Sequence, residues 1–200
     1  VQYSRNEIAK VSSTPTRNPW KFKLNVSAGL IYSQNRSLLE DIDALDRQYT
    51  ETVSFSSVPG HSFIFAYQGE MTQAMINALR VQSFVGNQLV LTNLPTVAAI
   101  GANAFLFKKG DILQITGYPH PFTVVNDVIR GGNNTVTVTT HRPNFITASV
   151  VNASIVVGNA VQFKVFCPNM PTYTLVPGGT DAIIEWTSEF LLYEYTGDVA

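Results

Sequence analysis

The sequence predicts a mainly β fold of the β-rich α+β class, with one packed helix over about 70–84 and a small β-barrel insertion over 106–143. Three observations carry that prediction. Short runs alternating apolar and polar residues recur along the 200-residue chain, as in Trp20–Val26 and Thr135–Thr139. Gly, Pro and Asn punctuate these runs at turn-like intervals. The segment Glu70–Phe84 keeps helical spacing through Met71, Met75, Ala78, Leu79 and Gln82, with good helix formers between them.

Taken in order, residues 1–19 are polar, carry Pro15 and Pro19, and form an N-terminal arm without periodicity. "WKFKLNV" (20–26) is a half-buried strand. "SLLEDIDALDR" (37–47) places Leu38, Ile42 and Leu45 on one helical face, and Ser37 with Glu40 matches a capping box. "ETVSFSS" and "HSFIFAYQ" are strands joined at "VPG", where Pro presets φ and Gly accepts a positive one. After the helix over 70–84, which Gly86 can end, "QLVLTNL" resumes a strand. Residues 106–143 hold three or four strands in under forty residues, with Ile112, Ile115, Phe122, Val124, Val136 and Val138 facing inward and "RGGNN" as a hairpin tip. "ASIVVGNAVQFKVFC" and "TYTLV" are further strands. "AIIEWTSEFLLYEY" holds two β runs with a bend or bulge at Thr187–Ser188. The domains predicted are therefore the arm 1–19, a main β domain of 20–105 with 144–200, and the insertion 106–143.

Composition narrows the function. Hydrophobic residues make up 45% of the chain, which marks a globular protein. Charged residues make up 14%, against about 25% in a typical domain. Either much of the surface touches other chains, or abundant Asn, Thr, Ser and Gln solvate it. The net charge of −1 argues against a general nucleic-acid binder and against an anionic membrane surface. No apolar stretch reaches the roughly 18 residues of a membrane anchor, and the start has no signal-peptide core. The single cysteine, Cys167, lies in an apolar strand and reads as a buried thiol.

No catalytic constellation stands out, so the sequence assigns no catalytic residue, no metal and no cofactor. His61, His120 and His141 show no i, i+4 pair, and no nucleophile elbow or phosphate-binding loop occurs. The densest charge feature is Glu40, Asp41, Asp43 and Asp46. It reads as a solvated helix face, as a carboxylate pair for acid/base work, or as a lining that repels DNA if copies surround a channel. In the arm, Arg5, Lys10 and Arg17 stand against Glu7 alone, so it is a candidate segment for contacting a neighbour.

The order of features carries a resemblance. Trp20 lies in a leading strand. The strand–helix–strand unit "HSFIFAYQGEMTQAMINALRVQSFVGNQLVLTNLP" follows, then an opening Phe107, Gly110, Asp111, Gln114 and a closing Val136, Thr137, Val138, Arg142, Pro143, and last the strands from "PTYTLVPG" to "EWTSEFLLYEY". Over most of 20–195 the chain resembles tail-tip and baseplate proteins of tailed bacteriophages, above all distal-tail or hub components with the tail-tube fold. The resemblance implies a tail-tube-like β-sandwich or barrel. It implies a structural, non-enzymatic subunit of the virion, made in the host cytoplasm. Its partners would be a homo-oligomeric ring, sixfold (a hexamer) or pseudo-sixfold, and other tail or baseplate proteins, with transient, non-specific passage of DNA. In that setting Glu40, Asp41, Asp43 and Asp46 would face the lumen, and Arg5, Lys10 and Arg17 a neighbour. Two other readings are a virion-associated carbohydrate- or receptor-binding β module, with Trp20, Tyr32, Tyr49, Tyr67 and Tyr118 stacking on sugars, and a β-rich hydrolase using the acidic cluster.

Overall fold

The computed structural model describes residues 19–24, 30–47, 51–54, 65–146 and 148–197. The expected antiparallel pair through "VPG" lies largely outside them, as do the arm and His61. In chain order the elements are β1 (Lys21–Leu24), β2 (Leu30–Ile31), α1 (Tyr32–Arg47), β3 (Glu51–Ser54), α2 (Gln73–Ala78), β4 (Arg80–Val85), β5 (Gln88–Thr92) and α3 (Val97–Ile100). There follow β6 (Phe105–Phe107), β7 (Ile112–Ile115), β8 (Phe122–Thr123), β9 (Val128–Ile129), β10 (Val136–Thr139) and β11 (Ile155–Val157). The chain closes with β12 (Gln162–Phe166), β13 (Tyr173–Pro177), β14 (Ala182–Trp186) and β15 (Phe190–Glu194). The fold is mainly β, as expected, in several small sheets, and none closes into a barrel among the described residues.

The chain divides into two compact units. Unit 1 is the segment 53–163 with residues 196–197, and unit 2 combines 19–52 with 164–195. This is not the division expected at 106 and 143. The strands of that stretch pair outward on both sides: β10 lies antiparallel to β5, and β7 to β11. Its inward residues Ile115, Phe122, Val124 and Val138 share one core with Leu79, Val81 and Leu89. Alternation marks which residues face inward, but it does not say which strand supplies the partner edge: β7 with β8 and β6 with β9 pair within the stretch, while β10 and the other edge of β7 take partners outside it.

The helix expected over 70–84 is correct for its first half alone. Thr72 caps α2 by accepting from the Met75 N–H at 3.4 Å. Helix then yields to strand at Arg80, because Val81, Phe84 and Val85 favour an extended backbone. Gly86-Asn87 forms the two-residue loop that turns β4 into β5, with Gly86 at φ +54, the positive φ that tight hairpin turns need at this position. Gly86 therefore ends no helix. Of the expected face, Met71 and Leu79 are buried, Met75 is half-buried and Ala78 is exposed; Ile76 takes the place left to Ala78.

In unit 2, β1, β15, β12 and β3 form one sheet in that order, and β13, β14 and β2 another. The expected bend at Thr187–Ser188 is present, and it delivers β14 and β15 to different sheets. The helix expected over 37–47 begins five residues earlier, straight out of β2. Ser37 and Glu40 are therefore interior residues and form no capping box. The Asp181 carboxylate caps α1 instead, accepting from the Ser33 hydroxyl and, at 3.4 Å, from the Ser33 N–H. The buried face also differs: Leu39 points in and Leu38 is exposed.

Candidate functional site

The motif residues of unit 1 serve the fold. Asp111, 2% exposed, accepts from the Gln68 N–H at 2.9 Å and the Lys108 N–H at 2.8 Å, which ties 65–70 to the turn before β7. Gly110 at φ +97 makes that turn. The Gln114 amide donates to the Gln162 carbonyl and accepts from the Gln162 N–H, locking the start of β12. Phe107 is fully buried. At the closing motif the Arg142 guanidinium, 1% exposed, lies 5.2 Å from the Phe122 ring and 4.8 Å from that of Phe145, and donates to the Pro121 carbonyl at 2.7 Å. Arg130 fastens the hairpin tip by donating to the carbonyls of Pro95, Gly131 and Asn133. The Tyr67 hydroxyl donates to the Leu106 carbonyl and accepts from the Met71 N–H; burial above all pushes its pKa up to about 12, with Asp111 and Glu70 adding to the effect.

Chemistry that faces solvent gathers in unit 2. There α1 presents Glu40 and Asp41 outward, with Asp43 half-buried. Asp46 lies on α1 as well, though its side chain is outside the described set. Asp43 lines a surface pocket of ≈ 330 Å³ with Met170, Pro171, Thr172 and Tyr173. Burial raises the Tyr173 pKa, and the negative charges of Asp43 and Glu40 and the Tyr32 phenol raise it further. Tyr173 in turn meets Trp186 edge to face, with ring centroids 5.0 Å apart. A carboxylate, an aromatic ring and the apolar Met170 and Pro171 together suit a cation carried on an apolar stem. Glu40 and Asp43, about one turn apart, are thus brought to the side of α1 near Tyr173, and Asp41 points to a different side. Arg5, Lys10 and Arg17 fall outside the described residues.

The sheet of β1, β15 and β12 carries a second feature, which the sequence reading missed. Side chains alternate across a strand, so Lys21 and Lys23 share one face. Register sets Lys21 opposite Tyr193, Lys23 opposite Leu191, and Phe166 opposite Tyr193. The Lys21 ammonium sits 5.7 Å from the Tyr193 ring centroid and that of Lys164 5.2 Å from Tyr195. Lys23 pairs with Glu189 at 2.5 Å at the edge of the sheet. The signal was available in "WKFKL", whose two lysines occupy the outward positions of the alternation. Trp20 stacks on Phe22 with parallel rings 6.4 Å apart.

Among the described residues no group of three or more His, Cys, Asp or Glu is placed to hold a metal ion, and no helix is long and apolar enough to cross a membrane. No protein-family model matches this chain, and no curated protein is similar enough to it to count as a relative.

Proposed function

We propose that this chain is a structural subunit of a phage tail tip or baseplate, one that forms a ring prolonging or closing the tail tube and docks neighbouring tail proteins. The observation that carries the reading is the outer surface of unit 2. Leu24, Ile31, Leu38, Leu175, Val176 and Leu191 are all exposed there. Five of them lie on strands of two sheets and Leu38 on α1, and where such side chains adjoin they suit surfaces that other chains cover. They accompany the low charge fraction and the feature order that resembles distal-tail proteins.

β13 adds to the case. It is an edge strand of its sheet, its last four residues are all exposed, and it carries no Lys or Arg; Pro177 blocks pairing at its end alone. Sedimentation and negative-stain microscopy of the full chain test the proposal. Closed rings of sixfold or pseudo-sixfold symmetry are the expected result. A monomer of 22.0 kDa at every concentration would overturn it.

A further inference from the structure

We infer that the lysine–aromatic face of β1, β15 and β12 and the acidic pocket beside α1 are the two halves of one head-to-tail contact between copies of this chain. The inference rests on the ring reading and names the surfaces that would join its subunits. One half is cationic at its rim: Lys21 is exposed, and the Lys23 side chain is 64% exposed. The other half offers Glu40, Asp41 and Asp43, which enter no ion pair among the described residues. The pocket beside Asp43 supplies what a lysine needs in order to bury its stem: Met170 and Pro171 for the methylenes, and the Asp43 carboxylate and Tyr173 ring for the ammonium. Each half also carries an exposed leucine, Leu191 on the sheet and Leu38 on the helix. The salt bridge that Lys23 makes with Glu189 is a surface pair, and such pairs contribute little, so exchanging it for a partner costs little.

The two patches differ, so the contact is heterologous; a row of such contacts closes into a ring or runs on as a filament. The rings of Tyr193 and Tyr195 already lie beneath the Lys21 and Lys164 ammonium groups, which leaves little ring face for a nucleobase. The excess of carboxylates on α1 would also repel phosphate. An acidic protein surface therefore fits the lysines better than a nucleic acid does.

A charge-swap experiment on the full chain tests the contact. Lys21→Glu with Lys23→Glu, and separately Glu40→Lys with Asp43→Lys, should each shift the sedimenting species from assembled to monomeric at a concentration where the wild type is fully assembled. The chain carrying all four changes should assemble again, and added salt should weaken the wild type. Circular dichroism confirms that each variant is folded. Lys21→Gln with Lys23→Gln, and Glu40→Gln with Asp43→Asn, repeat the test with smaller changes and should weaken assembly in the same direction. Undiminished assembly of the lysine variants would overturn the contact while leaving the ring reading intact. So would lysine variants that lose binding to single-stranded DNA but not to each other, or a ring in which α1 lines the channel. A monomeric wild type would overturn both.

Discussion

Unit 1 and unit 2 solve the same problem with different success. In unit 1 buried polar groups are spent on closing the chain on itself: Asp111 binds two backbone N–H groups, Gln114 the backbone N–H and carbonyl of Gln162, and Arg130 three carbonyls. The apolar side chains around them form one continuous core. In unit 2 the buried apolar residues among those described are Leu39, Val165, Ile184, Phe190 and Leu192, spread over two sheets and a helix. Leu24, Ile31, Leu38, Leu175, Leu191, Lys21 and Lys23 are exposed, while Leu30, Ile42, Ile183 and Lys164 are half-buried. A segment that cannot bury its apolar surface alone is stabilised by whatever covers it. The difference teaches that unit 1 holds the more continuous core, although it too exposes apolar side chains, Val85 at 75% and Val151 at 61%.

The largest effect that separates the units is cavity formation. Leu79, fully buried just after α2, belongs to the core of unit 1. Leu79→Ala should cost about 2–5 kcal/mol, the range for truncating a buried leucine. Leu175, 46% exposed on β13, is its counterpart in unit 2, and Leu175→Ala should stay within about 0.5 kcal/mol of wild type. Urea denaturation of dilute protein measures both. Equal costs would mean that β13 is packed as firmly as the core of unit 1, and the comparison would fail.

Acid should act on the two units in opposite directions. Burial raises the Asp111 pKa above its ordinary 3.8, although the N–H groups of Lys108 and Gln68 pull it back. Folded unit 1 then binds that proton more tightly than the unfolded chain does. The Asp111 contribution to stability therefore falls as pH rises through the folded pKa and recovers as pH drops toward 3.8. Asp181 is the reverse case. The Ser33 hydroxyl, helped by the Ala182 N–H, holds it below 3.8. Its contribution is complete above that value and is lost as pH falls through the folded pKa. Hydrogen exchange between about pH 5 and about pH 3 should show α1 and β14 loosening more in wild type than in Asp181→Asn. Asp111→Asn should flatten the opposite trend in β6 and β7. It should also cost about 1–3 kcal/mol, because one backbone N–H would then face an amide N–H. A pH response unchanged by either substitution would show that these carboxylates do not set it.

Much of this was legible in the residues. The inward positions of β8 and β10 follow from alternation, and the break between β14 and β15 from Thr187–Ser188. All four residues of β7, by contrast, are buried, and its main-core face is Leu113 with Ile115 instead of Ile112 with Ile115. The "GD" turn was visible as a turn, though not as the anchor of 65–70, because the Gln68 N–H lies 43 positions from Asp111. Pairing partners were hidden for the same reason. Arg80–Val85 was misread because its periodicity suits helix and strand alike until Gly86-Asn87 is recognised as a hairpin loop. The acidic residues of α1 could be seen, but the pocket beside them could not, since Met170–Tyr173 reach Asp43 only through the tertiary fold. The lysines at 21 and 23 were passed over as ordinary outward residues of a strand. Nothing in β1 alone says that Tyr193 and Phe166 complete the face.

The smallest effect concerns a side chain that sets the packing behind the pocket. Trp186 lies between Tyr173, at 5.0 Å, and Phe190, at 4.8 Å, edge to face with both. Its indole N–H is buried and has no hydrogen-bond partner among the described residues. A desolvated, unpaired donor costs about 1–3 kcal/mol. Trp186→Phe removes that cost together with part of the ring, so relief and lost packing oppose each other. The net change should lie within about 1 kcal/mol, while Trp186→Ala, which removes both aromatic contacts, should cost clearly more. Denaturation midpoints of the two variants check this. If phenylalanine proves as damaging as alanine, then the N–H makes a bond that holds unit 2 together.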